Sequence, residues 1–96
     1  MTQDQIVIFK AEDGKTEIQV KLHEDTVWLS QKQMAEIFEK DSDTVGLHLK
    51  NIFDSGELNE KLTTENFSVV QNEGKRKVTR KIKFYNLDAI ISVGYR

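Results

Sequence analysis

Apolar spacing alternates along this chain between two residues and three to four, and this switching limits the fold more than any other feature. In Glu17-Ile18-Gln19-Val20-Lys21-Leu22 polar and apolar residues alternate, which puts Ile18, Val20 and Leu22 on one face of a strand. Ile6-Val7-Ile8-Phe9 is a run of strand formers, and Asp13-Gly14 between the two runs suits a tight hairpin turn. Val27-Trp28-Leu29 reads as a short third strand. The spacing then becomes helical: Met34, Ala35, Ile37 and Phe38 form one stripe, and Val45, Leu49, Ile52 and Phe53 recur at i, i+4, i+7 and i+8. It returns to two in Phe67-Ser68-Val69-Val70-Gln71 and from Lys77 to Tyr85. There Val78, Ile82 and Phe84 face one way and Lys77, Thr79, Lys81 and Lys83 the other. Arg80 falls on the apolar side, where it needs a partner or must extend its head to water. Leu87, Ile90 and Ile91 then share a helical face. Strands on both sides of a helix pair within 96 residues predict a single α+β domain.

The boundaries are marked by capping residues, since the chain has no proline. Ser30 reads as an N-cap, with Gln33 three residues on completing a capping box and Leu29 and Met34 as a hydrophobic staple. This helix is expected to stop near Glu39. Ser42 reads as the next N-cap, with Asp43 favoured in the first turn by the helix dipole. Gly56 suits the left-handed position after that helix. Residues 57–66 are polar and read as loop or a frayed turn, 72–75 as a turn, and Asn86 as the cap of a further helix. The expected divisions are an N-terminal hairpin over 5–29, a helix-turn-helix over 30–54, a basic hairpin over 67–85 and the start of a helix over 86–96. The pattern reaches Arg96 without a stop signal, so the expectation is a piece of a longer protein.

Several function classes are excluded or unsupported by composition. Without cysteine there is no disulfide framework, thiolate nucleophile or Cys-based zinc site. The two histidines, His23 and His48, have no HxxxH or HxH partner. No GxxxxGK[ST], GxGxxG or GxSxG motif occurs, and no nucleophile–base pair is visible. The expectation is therefore no enzyme, no cofactor, no metal and no small-molecule substrate. No apolar run approaches the roughly 18 residues of a membrane span, and no secretory signal is visible, which favours the cytoplasm. Trp28 reads as a core anchor, His23 as a surface residue, and Glu36, Glu39, Asp41 and Asp43 as ordinary helix-surface acids.

The net charge of −2 hides a split. Residues 1–73 carry seven lysines against fifteen acids, a net of −8. Residues 74–96 carry Lys75, Arg76, Lys77, Arg80, Lys81, Lys83 and Arg96 against Asp88, a net of +6. A local cationic stretch on an acidic chain suggests an anionic partner met at one place. The two helices and their three-residue turn have helix-turn-helix spacing, in which the second helix enters the major groove. With Val45, Leu49 and Ile52 inward, Thr44, Leu47, His48 and Asn51 lie outward with Lys50 at the margin. Asn can pair with an adenine edge, and Thr and His can contact bases or phosphate. Asp41 and Asp43 at the same end would repel phosphate. Lys75, Arg76 and Lys77 at the turn of the basic hairpin can reach backbone phosphates or a minor groove without desolvating the core, and Lys81 is a further phosphate contact. Helices followed by a basic hairpin predict a winged-helix-like domain.

Val27-Trp28-Leu29-Ser30-Gln31-Lys32-Gln33-Met34-Ala35-Glu36-Ile37-Phe38, His48-Leu49-Lys50-Asn51-Ile52-Phe53, Gly56-Glu57-Leu58 and the closing Phe84-Tyr85-Asn86-Leu87-Asp88-Ala89-Ile90-Ile91-Ser92-Val93-Gly94-Tyr95-Arg96 resemble the N-terminal region of the virulence-associated RhuM family. The resemblance spans about residues 20–96. These bacterial proteins are often described as DNA-binding. The resemblance implies a helix-turn-helix over 30–53 and carries over His48, Lys50 and Asn51 as matching positions. The expected function is binding of double-stranded DNA by a bacterial regulatory or virulence-associated protein, in transcriptional regulation, through the 42–53 helix and the basic hairpin. A homodimer is compatible with it. The alternative is a protein-interaction or dimerisation module of a larger effector.

Overall fold

The computed structural model of the chain describes residues 5–10 and 17–96. The Asp13-Gly14 turn expected from the sequence lies outside the described residues. Among the described residues five strands form one antiparallel sheet in the order β1-β2-β3-β5-β4. They are β1 (Gln5–Lys10), β2 (Glu17–His23), β3 (Thr26–Ser30), β4 (Thr64–Glu73) and β5 (Arg76–Tyr85). The helices among the described residues are α1 (Gln31–Ile37), α2 (Ser42–Asp54), the single-turn α3 (Glu60–Thr63) and α4 (Leu87–Gly94).

Local sequence signals explain most of the boundaries. Ser30 Oγ accepts from the Gln33 N–H at 3.2 Å while Gln33 Oε1 accepts from the Ser30 N–H at 2.9 Å, the reciprocal capping box the sequence predicts. At the end of α2, Gly56 takes φ 78°. Its N–H donates to the Phe53 carbonyl and the Glu57 N–H to the Ile52 carbonyl, a Schellman motif. Asn86 Oδ1 accepts from the Ala89 N–H and starts α4. The cap of α2 differs from expectation. Asp41 holds the N-cap position with no side-chain hydrogen bond, and Ser42 is the first helical residue. The Gln31 amide instead donates to the Ser42 carbonyl at 2.7 Å and to Ser42 Oγ at 3.3 Å, tying α1 to α2. Residues 57–66, expected as loop or a frayed turn, hold the single helical turn α3, and β4 already begins at Thr64.

The sheet has two unlike faces. Leu29 and Tyr85 are paired across β3 and β5, so they share a face. They join Met34, Ala35, Val45, Leu49, Ile52, Ala89, Ile90 and Val93 in the core that α1, α2 and α4 make against it. Met34, Val45, Ile52 and Val93 are fully buried, each contributing about 1.5–3 kcal/mol of transfer free energy. On the other face His23, Trp28, Phe67 and Phe84 form an edge-to-face aromatic cluster with ring centroids 5.1–6.1 Å apart. The sheet curls around this face, because Phe67 of β4 reaches His23 of β2. Trp28 is buried, as expected, and its indole N–H donates to the His23 carbonyl. His23 is half-buried in this cluster rather than a free surface residue.

The winged-helix-like arrangement expected from the spacing is not what forms. In that arrangement a helical core carries a hairpin as an appendage. Here strands from both halves of the chain join into one sheet, through Leu29↔Tyr85 and Ser30↔Phe84. Strands dominate the α+β fold, and the helices cover one face of it. The cause is the apolar content of the strand ends: Trp28, Leu29, Phe84 and Tyr85 are all buried, which requires both faces at this junction to be covered. α4 also turns differently from expectation. It buries Ala89, Ile90 and Val93, leaving Leu87 and Ile91 exposed.

Candidate nucleic-acid interface

The hairpin β4–β5 pairs in unbroken register from Thr64↔Tyr85 to Glu73↔Arg76. Its two-residue loop is Gly74-Lys75, and Gly74 takes φ 65° at the first loop position. A primed turn places glycine there because its twist matches that of the strands. Past Phe84, β5 has only β4 beside it. The two strands therefore leave the body as a two-stranded ribbon, and Lys75 lies about 25 Å along the strand from Lys83 at 3.3 Å per residue.

Register assigns the side chains to faces. Phe67, Val69, Gln71 and Glu73 lie opposite Ile82, Arg80, Val78 and Arg76. This side continues the aromatic cluster, and Phe67, Val69, Gln71, Val78 and Ile82 are half-buried. Arg80 falls on it and finds its partner in Glu73, with Nε–Oε2 at 2.7 Å and a second bond from the guanidinium to Oε1 at 3.0 Å. That bond holds the Glu73 carboxyl below its ordinary range and raises Arg80. The other side pairs Asn66 with Lys83, Ser68 with Lys81, Val70 with Thr79 and Asn72 with Lys77. All eight are exposed and none is acidic.

The second side runs into Tyr85, whose ring stacks on Phe53 of α2 at 6.3 Å. The lysine side of the ribbon and α2 are thus on the same side of the sheet. A shallow groove separates them, lined by Gln31, Gly46, Lys50, Asp54, Glu60 and Tyr85. A Cβ on Gly46 would stand 2.7 Å from the Gln31 amide nitrogen, so glycine leaves room for the Gln31–Ser42 bond. Lys83 ion-pairs with Glu60 at the mouth of the groove. Burial, the largest cause, raises the Tyr85 hydroxyl above its ordinary range.

The residues singled out from the sequence fall into two groups. On α2, Lys50 and Asn51 are exposed and Leu47 is 56% exposed, whereas Thr44 and His48 are half-buried at the flank of the Val45/Leu49/Ile52 stripe. On the ribbon, Lys75, Arg76, Lys77 and Lys81 are exposed and make no ion pair among the described residues. Lys50 lies close to the ribbon foot; the loop cations stand at the far end. Asn66, Ser68, Asn72 and Thr79 were not singled out. The signal for them was the alternation of Phe67, Val69 and Gln71, which already sends the intervening residues to the lysine side. Among the described residues no group of three His, Asp or Glu side chains converges as a metal site.

Residues 62–96 match the model of the Virulence protein RhuM family. The match covers about a third of the chain. The matched stretch holds the whole ribbon and α4 but neither α1 nor α2, so the RhuM pattern coincides with the cationic part of the molecule. No curated protein and no solved structure matches the chain. No helix among the described residues is long and apolar enough to cross a membrane.

Proposed function

We propose that this RhuM-family chain binds double-stranded DNA in the bacterial cytoplasm, in a regulatory or virulence-associated role that includes control of transcription. One observation supports it above the rest. A ribbon held away from the core carries four exposed cations, Lys75, Arg76, Lys77 and Lys81, that are unpaired among the described residues, on a chain that is otherwise acidic. Unpaired lysine and arginine heads can neutralise phosphates and release their counterions without breaking any protein contact. Lys50 of α2, which lines the groove beside Tyr85, can meet the same duplex. The helix's own acids Asp41, Asp43 and Asp54 limit it to a secondary contact.

Titration of a random-sequence duplex against ionic strength tests this. Four phosphate contacts give a log–log salt slope of about −3 to −4. The variant Lys75→Glu/Arg76→Glu/Lys77→Glu should weaken binding at low salt and flatten the slope. Equal binding by variant and parent would remove the ribbon from the interface. A second reading, a protein-interaction or dimerisation module, is favoured by the outer side of α4. Leu87, Ile91 and Tyr95 recur there at i, i+4 and i+8, with Tyr95 89% exposed and Leu62 of α3 77% exposed. A stable oligomer in sedimentation, together with no duplex binding at low salt, would select that reading.

A further inference from the structure

We infer that the lysine side of the β4–β5 ribbon is the base-reading surface and that it enters the major groove of the duplex. The inference rests on the DNA-binding reading above and assigns to the ribbon what helix spacing assigns to α2.

Three features of the ribbon select this ligand geometry. The first is its chemistry. Between the foot and the loop, the exposed side presents Asn66, Ser68, Val70, Asn72, Lys77, Thr79 and Lys81. Asparagine pairs bidentately with the adenine edge, lysine donates to guanine O6 and N7, serine and threonine serve either, and an aliphatic side chain contacts the thymine methyl. The side chains of Asn66, Ser68, Asn72 and Thr79 make no hydrogen bond among the described residues, so their donors and acceptors are available. The second is charge. Glu65 and Glu73 both point to the opposite side by register. Apart from Glu60, which pairs with Lys83 at the foot, the reading side therefore meets no phosphate with a carboxylate, whereas α2 brings Asp41, Asp43 and Asp54.

The third feature is shape. A two-stranded ribbon fits the major groove of about 12 Å and not the minor groove of about 6 Å. From Asn66 to Asn72 it extends about 20 Å, the rise of roughly six base pairs. Single-stranded nucleic acid is a poorer fit, because its binding relies on aromatic platforms. Here Trp28, Phe67 and Phe84 are committed to the opposite side of the sheet, and Tyr85 is buried under α2.

The test uses the full chain. Duplexes enriched from a random pool are compared with scrambled duplexes for the parent, for Asn72→Ala/Thr79→Ala, and for His48→Ala/Asn51→Ala. The replaced ribbon residues are exposed and uncharged, so circular dichroism should show unchanged folding. The parent should prefer the enriched site about tenfold or more, as one lost bidentate pair implies. The ribbon variant should lose most of that preference while its affinity for scrambled duplex stays within about twofold, because phosphate contacts remain. The α2 variant should keep the preference. Methylation of guanine N7, a major-groove atom, should block the enriched site. Loss of preference in the α2 variant alone, binding without any preference, or indifference to N7 methylation overturns the ribbon as reader and leaves DNA binding standing. Absence of duplex binding at low salt overturns both.

Discussion

The two ends of the β4–β5 hairpin are made from the same alternating pattern and behave oppositely. At the foot both sides are covered: Tyr85 by α2, and Phe84 by Phe67 in the aromatic cluster. Lys21 adds a cation over the Phe67 ring at 4.0 Å. Toward the loop only the Val69–Val78 side is half-buried, and its other side is open, with Val70 63% exposed. The difference teaches that the foot supplies stability and the far end supplies charge, so the two roles should separate under mutation. Phe84→Ala tests this with the largest effect. Truncating a buried aromatic ring costs about 3–5 kcal/mol, and here it also removes the partner of Phe67. Val70→Ala, three strand pairs from the loop, should change urea-unfolding stability by less than about 0.5 kcal/mol. Similar losses for the two would break the division between foot and far end.

Ser30 sharpens the same comparison at lower amplitude. It pairs with Phe84 in the sheet and caps α1, so the foot of the ribbon and the start of the helix pair share one residue. Ser30→Ala removes the hydroxyl from a complete capping box and should cost about 1 kcal/mol of unfolding free energy. Its effect on duplex affinity at low salt should be within twofold, since no phosphate contact is lost. A large affinity loss at unchanged stability would mean that the foot contributes directly to binding.

Local signals were legible in the sequence and distant ones were not. The Ser30–Gln33 box, the Val45/Leu49/Ile52 stripe, the Gly56 turn and the Asn86 cap each depend on residues within about one or two helical turns, and each is found. The pairing of β3 with β5 joins residues more than fifty positions apart, and nothing in either strand names the other; the winged-helix expectation failed at that step. α4 failed for another reason. Leu87, Ala89, Ile90, Ile91 and Val93 make it apolar nearly all round, so periodicity cannot select its buried side. Close packing does, and small Ala89 and Val93 fit it. Of the candidate site, the cations were legible as a cluster, but their division between two sides of a ribbon required the register.

Tyr85 marks the foot electrostatically. Burial raises its hydroxyl above the ordinary value of 10.0, so the folded state holds this proton more tightly than the unfolded state. The associated stability is fully present below the unfolded value and is lost as pH rises through the folded one. Unfolding temperatures taken from pH 9 upward should therefore fall more steeply for the parent than for Tyr85→Phe. Parallel curves would show that the hydroxyl is as solvated in the folded chain as in the unfolded one.

The smallest effect on stability is expected at Glu73, and it is the one that probes the far end most directly. Both Glu73 and Arg80 are exposed, so breaking their pair by Glu73→Gln should leave the unfolding midpoint unchanged. Binding should respond instead. The substitution removes an anion from the ribbon and frees the Arg80 guanidinium to reach a phosphate at the groove wall, which steepens the salt slope by about 0.9. Acid should reproduce this in the parent only late. The Arg80 bond lowers the Glu73 value from its ordinary 4.5, so the pair persists above the unfolded value and is lost as pH falls through the lower, folded one. At pH 7 the parent should thus show the shallower slope and Glu73→Gln the steeper. Equal slopes would mean that Arg80 stays turned toward the aromatic side when released, and that the lysine side of the ribbon meets the duplex without it.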